Sequence, residues 1–169
     1  MLLKSGGQPN VSQADGETCL HVAARNGNKA IMTLMLAENA DPEIRSNKGE
    51  TPLHVAAKVE RRREGGEEEG RRRGVALEEC NYEAALLLLN HLKSLDKSED
   101  AMRDYVNALS VSGFTCVHYA AEIQQEQLHF PGEDAKIINL LIDHGGRVEE
   151  QAEKTNETGM HLAARSGNQ

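Results

Sequence analysis

A block of nine residues recurs along the chain at a fixed spacing, and this constrains the fold more than any other feature. Gly16-Glu17-Thr18-Cys19-Leu20-His21-Val22-Ala23-Ala24 returns 33 residues later as Gly49-Glu50-Thr51-Pro52-Leu53-His54-Val55-Ala56-Ala57. A third copy reads Gly113-Phe114-Thr115-Cys116-Val117-His118-Tyr119-Ala120-Ala121, and a shorter fourth reads Thr158-Gly159-Met160-His161-Leu162-Ala163-Ala164. The register also runs backwards, since Gly6-Gly7-Gln8-Pro9 lies 33 residues before Asn39-Ala40-Asp41-Pro42. Such self-similarity marks stacked units that cannot bury their apolar faces alone.

Each position in the block has a physical reading. Thr18, Thr51, Thr115 and Thr158 stand where a helix N-cap is needed, because a hydroxyl can accept from an unpaired N–H. Pro52 follows at the first helical position, where its missing donor costs nothing. Leu20 and the Ala23-Ala24 pair, like Leu53 and its alanines, share one face of a short helix, and alanine lets the next helix come close. A second helix is expected over Lys29 to Ala37, with Ile31, Leu34 and Met35 at helical spacing. Asn39 sits where helices often turn left-handed. Asp41 to Gly49 then reads as an extended turn or hairpin before the next cap.

These residues, Thr51 to Ala57 above all, resemble the ankyrin repeat family. The resemblance implies an all-α solenoid of stacked helix-turn-helix units with projecting β-hairpin loops. It divides the chain into the end of one repeat (1–14), a regular repeat (15–47) and two long repeats (48–111 and 112–153). The first half of a further repeat follows (154–169). Both ends then fall inside repeats, with Met1 to Leu3 in a second helix and Met160, Leu162 and Ala163 in a first. The chain is accordingly expected to be a fragment that is marginally stable or self-associating by itself.

The long repeats carry the irregularities. Cys80 to Ala85 aligns with Asn26 to Ile31 once residues 59–79 are set aside as an insertion. Its centre, Arg61 to Gly74, contains only Arg, Glu and Gly. A segment without apolar residues cannot offset its ordering entropy, so a disordered loop is expected. All three residue types have purine-only codons, so a simple-sequence expansion or a gene-model error is a second reading of the tract. One more short helix is expected near Asp100 to Asn107, and Phe130 to Asp134 should make a turn and cap before Ile137 to Leu141. Tyr105-Val106-Asn107, Thr115 to Ala120 and Pro131 to Asp134, in that order, are similar to the middle of the cytoplasmic ankyrin array of TRPN-type mechanosensory channels. That resemblance covers Asn90 to Gln169. It implies a cytoplasmic segment of a membrane-associated tetrameric channel, tethered to microtubules, although nothing here corresponds to a pore.

Composition narrows the remaining classes. With 19 basic and 27 acidic residues the net charge is -8, which argues against a general nucleic-acid binder. The insertion contributes only -1 of this, so the solenoid itself is acidic. The longest apolar run, Ala84 to Leu89, is too short to cross a bilayer, and no secretory signal opens the chain. Three cysteines without framework spacing point to a reducing compartment. Aromatic residues make up 3%, which suits thin layers of Ala, Leu, Ile and Val.

Catalytic and metal chemistry find little support. His21, His54, His118 and His161 occupy one repeat position, where an imidazole can bond the preceding threonine and neighbouring backbone. Cys19 and Cys116 each lie two residues before a histidine, but a zinc site needs about four converging ligands, and equivalent positions lie one unit apart. No orienting third group or oxyanion motif accompanies a Cys-His pair, and no phosphate loop is present. The arginine clusters 61–63 and 71–73 are split by Glu67 to Glu69, which makes a polyampholyte rather than a basic patch. The sequons at Asn10 and Asn156 are incidental in a cytosolic solenoid. No enzyme activity and no cofactor are expected. The expected function is a protein-binding scaffold, either part of the TRPN-type spring or a stand-alone cytosolic adaptor. Candidate partner-binding residues are Arg25, Arg45, Asn47, Lys48 and Lys58, at finger tips and first-helix ends.

Overall fold

A computed structural model describes residues 8–58, 67–122 and 134–166, with the backbone alone over 67–80, 134–135 and 166. The expectations for Met1 to Leu3, for 59–66 and for the Pro131-Gly132-Glu133 turn lie outside the described residues. The repeat blocks form the first helices α1 (Cys19–Arg25), α3 (Pro52–Ala57), α6 (Cys116–Ala121) and α8 (Gly159–Ser166). The second helices are α2 (Lys29–Ala37), α4 (Glu67–Ser94) and α7 (Asp134–Asp143), and α5 (Glu99–Val106) is an addition. First helices stack on first helices, α1 on α3, α3 on α6 and α6 on α8, while α2 and α7 each pack on α4. The core follows the small-residue pattern: Leu20, Ala24, Leu53, Ala56, Ala57, Val117 and Ala120 are fully buried. Alanines at the contact allow close approach, so layers fill without aromatic bulk.

The second helices end as their sequences require. Asn39 takes φ 61° just beyond α2, and Asp96 takes φ 51° beyond α4. Short polar side chains tolerate this left-handed turn, which ends the helix by satisfying its last carbonyls.

The insertion differs from expectation. Residues 59–66 are not described, but from Glu67 onward the tract is helix, continuous with the packed part of α4. Two local effects favour this. Ala84, Ala85, Leu88, Leu89 and Leu92 are buried, so the helix has a nucleus, and each further residue extends it at little cost. In sequence, Glu67, Glu68 and Glu69 each precede an arginine by four positions, the order that supports helices, and both residue types are strong helix formers.

The fingers between units are tight turns rather than β-ladders. Among the described residues only isolated antiparallel bridges occur, Ser12 with Thr18 and Gln151 with Thr158. In the second finger Ser46 N donates to Glu50 O at 2.9 Å and Gly49 N to Ser46 O at 2.8 Å. The arms are too short to pair further. Successive fingers join edge to edge, through Asn47 N to Asp15 O at 2.9 Å and Val111 N to Lys48 O at 2.8 Å.

One glycine position makes this approach possible. Gly16, Gly49 and Gly113 have φ of +79°, +70° and +79°, and a Cβ on Gly49 would lie 2.9 Å from Val111 N. Any L-residue there is strained by its φ and collides with the next finger's backbone. Gly49→Ala is expected to destabilise the stack by about 2 kcal/mol, the left-handed penalty plus a lost inter-finger hydrogen bond. Urea unfolding with circular dichroism measures it, and an unchanged midpoint would disprove the close-approach account.

Helix α5 clamps the stack. Ser98 caps it by accepting from Ala101 N at 3.2 Å. Tyr105 donates its hydroxyl proton to Pro42 O at 3.0 Å, reaching back to the loop after α2. Asn107 Nδ2 donates to Gly145 O at 2.9 Å and Asn107 Oδ1 accepts from Arg147 N at 2.8 Å, reaching forward to the end of α7.

Candidate interaction surface

The repeated Thr and His side chains make one device, used four times. The backbone N–H of Thr18, Thr51, Thr115 and Thr158 donates to the Nδ1 of the histidine three residues on, at 3.1, 3.1, 3.2 and 3.3 Å. The threonine hydroxyls lie 2.7–2.9 Å from the same nitrogen. Because Nδ1 faces a backbone donor it must be bare, so the proton sits on Nε2 and the hydroxyl donates to Nδ1. Thr115 Oγ1 also accepts from His118 N at 3.4 Å, closing a reciprocal cap on α6.

Nε2 then reaches the next unit. His21 donates to Glu50 O at 3.0 Å and His118 to Glu157 O at 3.2 Å, each the carbonyl just before the next capping threonine. His54 departs from this, donating at 2.9 Å to Ala108 O, on the loop that α5 delivers. All three imidazoles are fully buried, whereas His161 is exposed. Burial pushes the His21 pKa below its usual value, and for His54, with the Arg45 charge adding to it, down to about 4.

This wiring bears on the three buried histidines and the buried cysteine. Both ring nitrogens of His21, His54 and His118 are engaged, so none of the three has a lone pair for a metal or for a proton to be abstracted. Burial raises the Cys116 thiol pKa far above its usual value, away from the nucleophilic thiolate. Among the described residues no three His, Cys, Asp or Glu side chains converge as metal ligands. No helix among them is long and apolar enough to cross a membrane.

The five candidate partner-binding residues differ in what they touch. Arg25 pairs with Glu17, an arrangement echoed by Arg165 and Glu157 at 2.8 Å in the last unit. Arg45 Nη1 donates to Leu109 O at 2.8 Å, and Asn47 Nδ2 to Ala14 O at 2.9 Å. Both therefore tie finger to finger. Lys48 is exposed at the second fingertip. Lys58 places its ammonium 5.6 Å from the centre of the Tyr119 ring, within cation–π range.

Tyr119 belongs to a cluster that the candidate residues did not include. Its hydroxyl lies 3.2 Å from Ser110 Oγ and 3.1 Å from Ser112 Oγ, which are 2.7 Å apart. Phe114 stacks on His118 at 5.5 Å and meets Tyr119 edge-on at 5.6 Å. The signal was present in the alignment of repeats. Phe114 stands where the other units have Glu17, Glu50 and Glu157, and Tyr119 where they have Val22, Val55 and Leu162.

Comparison with known proteins agrees with the geometry. Residues 1–64 match the family model for ankyrin repeats (3 copies). No curated protein matches the chain. The match covers 64 of 169 residues, helix-finger-helix units continue beyond it among the described residues, and the fold is an ankyrin-repeat solenoid.

Proposed function

We propose that this chain is a non-catalytic, protein-binding scaffold that also bears load, as the cytoplasmic spring of a TRPN-type channel would. One observation carries the reading. Imidazole hydrogen bonds link each unit to the next from His21 to Glu157, and the first three fingers are also joined edge to edge. A stack held by nearest-neighbour contacts spreads strain along the series and bends elastically. The repeat boundaries proposed from the sequence make each unit one such spring element. Attachment to microtubules, a tetrameric channel and a cytoplasmic face of a membrane follow from the TRPN resemblance. Pulling the chain by its ends in an optical trap tests the reading: reversible extension in steps the size of one unit is expected. A single all-or-none rupture would sink it.

The aromatic cluster favours a second reading, an adaptor that grips a soluble protein at the partly exposed Phe114, with the buried Tyr119 supporting it from behind. Lys48 at the fingertip and Lys58 beside Tyr119 would then contribute to the same contact. Phe114→Glu, which installs the residue of the other units, should abolish that binding and leave the stack intact.

A further inference from the structure

The residue before each capping threonine and the one eight places on form a second repeated pair. In three units it consists of a carboxylate and a cation, as Glu17 and Arg25, Glu50 and Lys58, and Glu157 and Arg165. The first and last of these pairs are in direct contact. The third unit holds Phe114 and Glu122 at the same two positions. Each of the other pairs is neutral, whereas this one carries a single negative charge.

Phe114 is half-buried and Glu122 exposed. The Phe114 ring is held by His118, stacked on it at 5.5 Å, and by Tyr119 edge-on at 5.6 Å, so a ligand has little side-chain freedom to remove. Glu122 meets Arg165 at 3.9 Å, the outer limit of an ion pair, while the same guanidinium lies 2.8 Å from Glu157. A contact that long leaves the Glu122 carboxylate able to accept from another donor.

By register Phe114 and Glu122 stand side by side, as Glu17 and Arg25 do. An aromatic ring beside a loosely paired carboxylate suits one side chain above others, because a guanidinium both stacks on a ring and donates to a carboxylate. We infer that Phe114 and Glu122 hold an arginine from a basic segment of a soluble protein partner. The inference deepens the adaptor reading and rests on it. The same chemistry is already used within the molecule, where the Lys58 ammonium sits over the Tyr119 ring. The net charge of -8 favours the approach of a basic segment. An acidic segment would be repelled by Glu122, and an apolar one would gain nothing from it.

A random peptide library displayed on phage and selected against the full chain tests it. The selected peptides should share an arginine, and replacing that arginine by alanine should weaken binding about tenfold or more. Glu122→Gln should weaken the same peptides about threefold to tenfold. Phe114→Leu, which keeps apolar bulk and removes the ring, should weaken them about threefold or more. Both variants should keep the helical circular dichroism of the parent, and Glu122→Gln, at an exposed side chain, decides alone should Phe114→Leu unfold. Peptides that depend on Phe114 but share no arginine, or that bind Glu122→Gln as well as the parent, would overturn the inference and leave the adaptor reading standing. If no selected peptide depends on Phe114, both fall.

Discussion

Replacing His54 by alanine is expected to destabilise the chain by about 3–5 kcal/mol, most or all of what a small domain holds in reserve. Three losses combine. The Thr51 backbone N–H loses its acceptor in a buried setting, and Ala108 O loses its donor in a partly buried one. Each unsatisfied buried group costs about 1–3 kcal/mol. A fully buried imidazole also leaves a cavity, and the Tyr119 ring that meets it edge-on at 5.9 Å loses its contact. The units on either side of this contact include α5, so the damage should spread to the clamp at Tyr105 and Asn107. His161→Ala provides the internal comparison. That imidazole is exposed and holds only its own cap, so a cost near 1 kcal/mol or less is expected. Urea midpoints of the two variants decide the matter. Equal losses would show that the histidine acts within its own helix and not between units.

Acidification should unstack the solenoid through the same side chain. Folded His54 has a pKa of about 4, against 6.5 for a solvated histidine. Between these values the unfolded chain binds a proton that the folded chain refuses, so stability falls as pH falls. The contribution is complete above pH 6.5, declines through pH 5 and is exhausted near pH 4. The gap corresponds to roughly 3 kcal/mol, which would move a urea midpoint by about 1–2 M. His21, whose pKa burial also lowers, acts in the same direction. Burial is the main cause, with the Arg45 charge adding to it, and the geometry agrees: a proton on Nδ1 would face the Thr51 N–H that Nδ1 now accepts. Urea titrations at pH 7.5, 5.5 and 4.5 measure the slope. The slope should be smaller by about one proton in a His54→Gln variant, and an unchanged slope in that variant would reject His54 as its source.

Much of the local structure could be read from residues alone. Thr18, Thr51 and Thr115 mark helix starts because a hydroxyl beside free N–H groups acts the same way in any context. Lys29 to Ala37 is helical and Asn39 turns left-handed as expected, but the helix buries Met32 and Leu36, while Ile31 and Leu34, the residues at the expected spacing, are exposed. The short α5 near Asp100 to Asn107 was legible in the same way. Less legible was the start of α4 at Glu67. A charged tract gives no apolar period, and only attachment to a packed helix makes its propensity count.

The candidate surface was harder to read. Arg45 and Asn47 look like recognition residues at a fingertip, but they serve the fingers themselves. Nothing in their sequence context says that Leu109 O and Ala14 O stand within reach. Phe114 and Tyr119 were readable as departures from the repeat, although their convergence with Ser110 and Ser112 depends on how the third finger folds back.

The 33-residue recurrence alone determined that this chain forms stacked two-helix units, because caps, helical faces and glycine turns act within a few residues. The tertiary structure decided what each unit bonds to. His54 has the same neighbours in sequence as His21, yet its closest acceptor is Ala108 O, in addition to Phe114 O, the carbonyl before the next threonine. An imidazole donor takes the acceptor that the adjoining unit presents, and α5 changes which carbonyl is nearest.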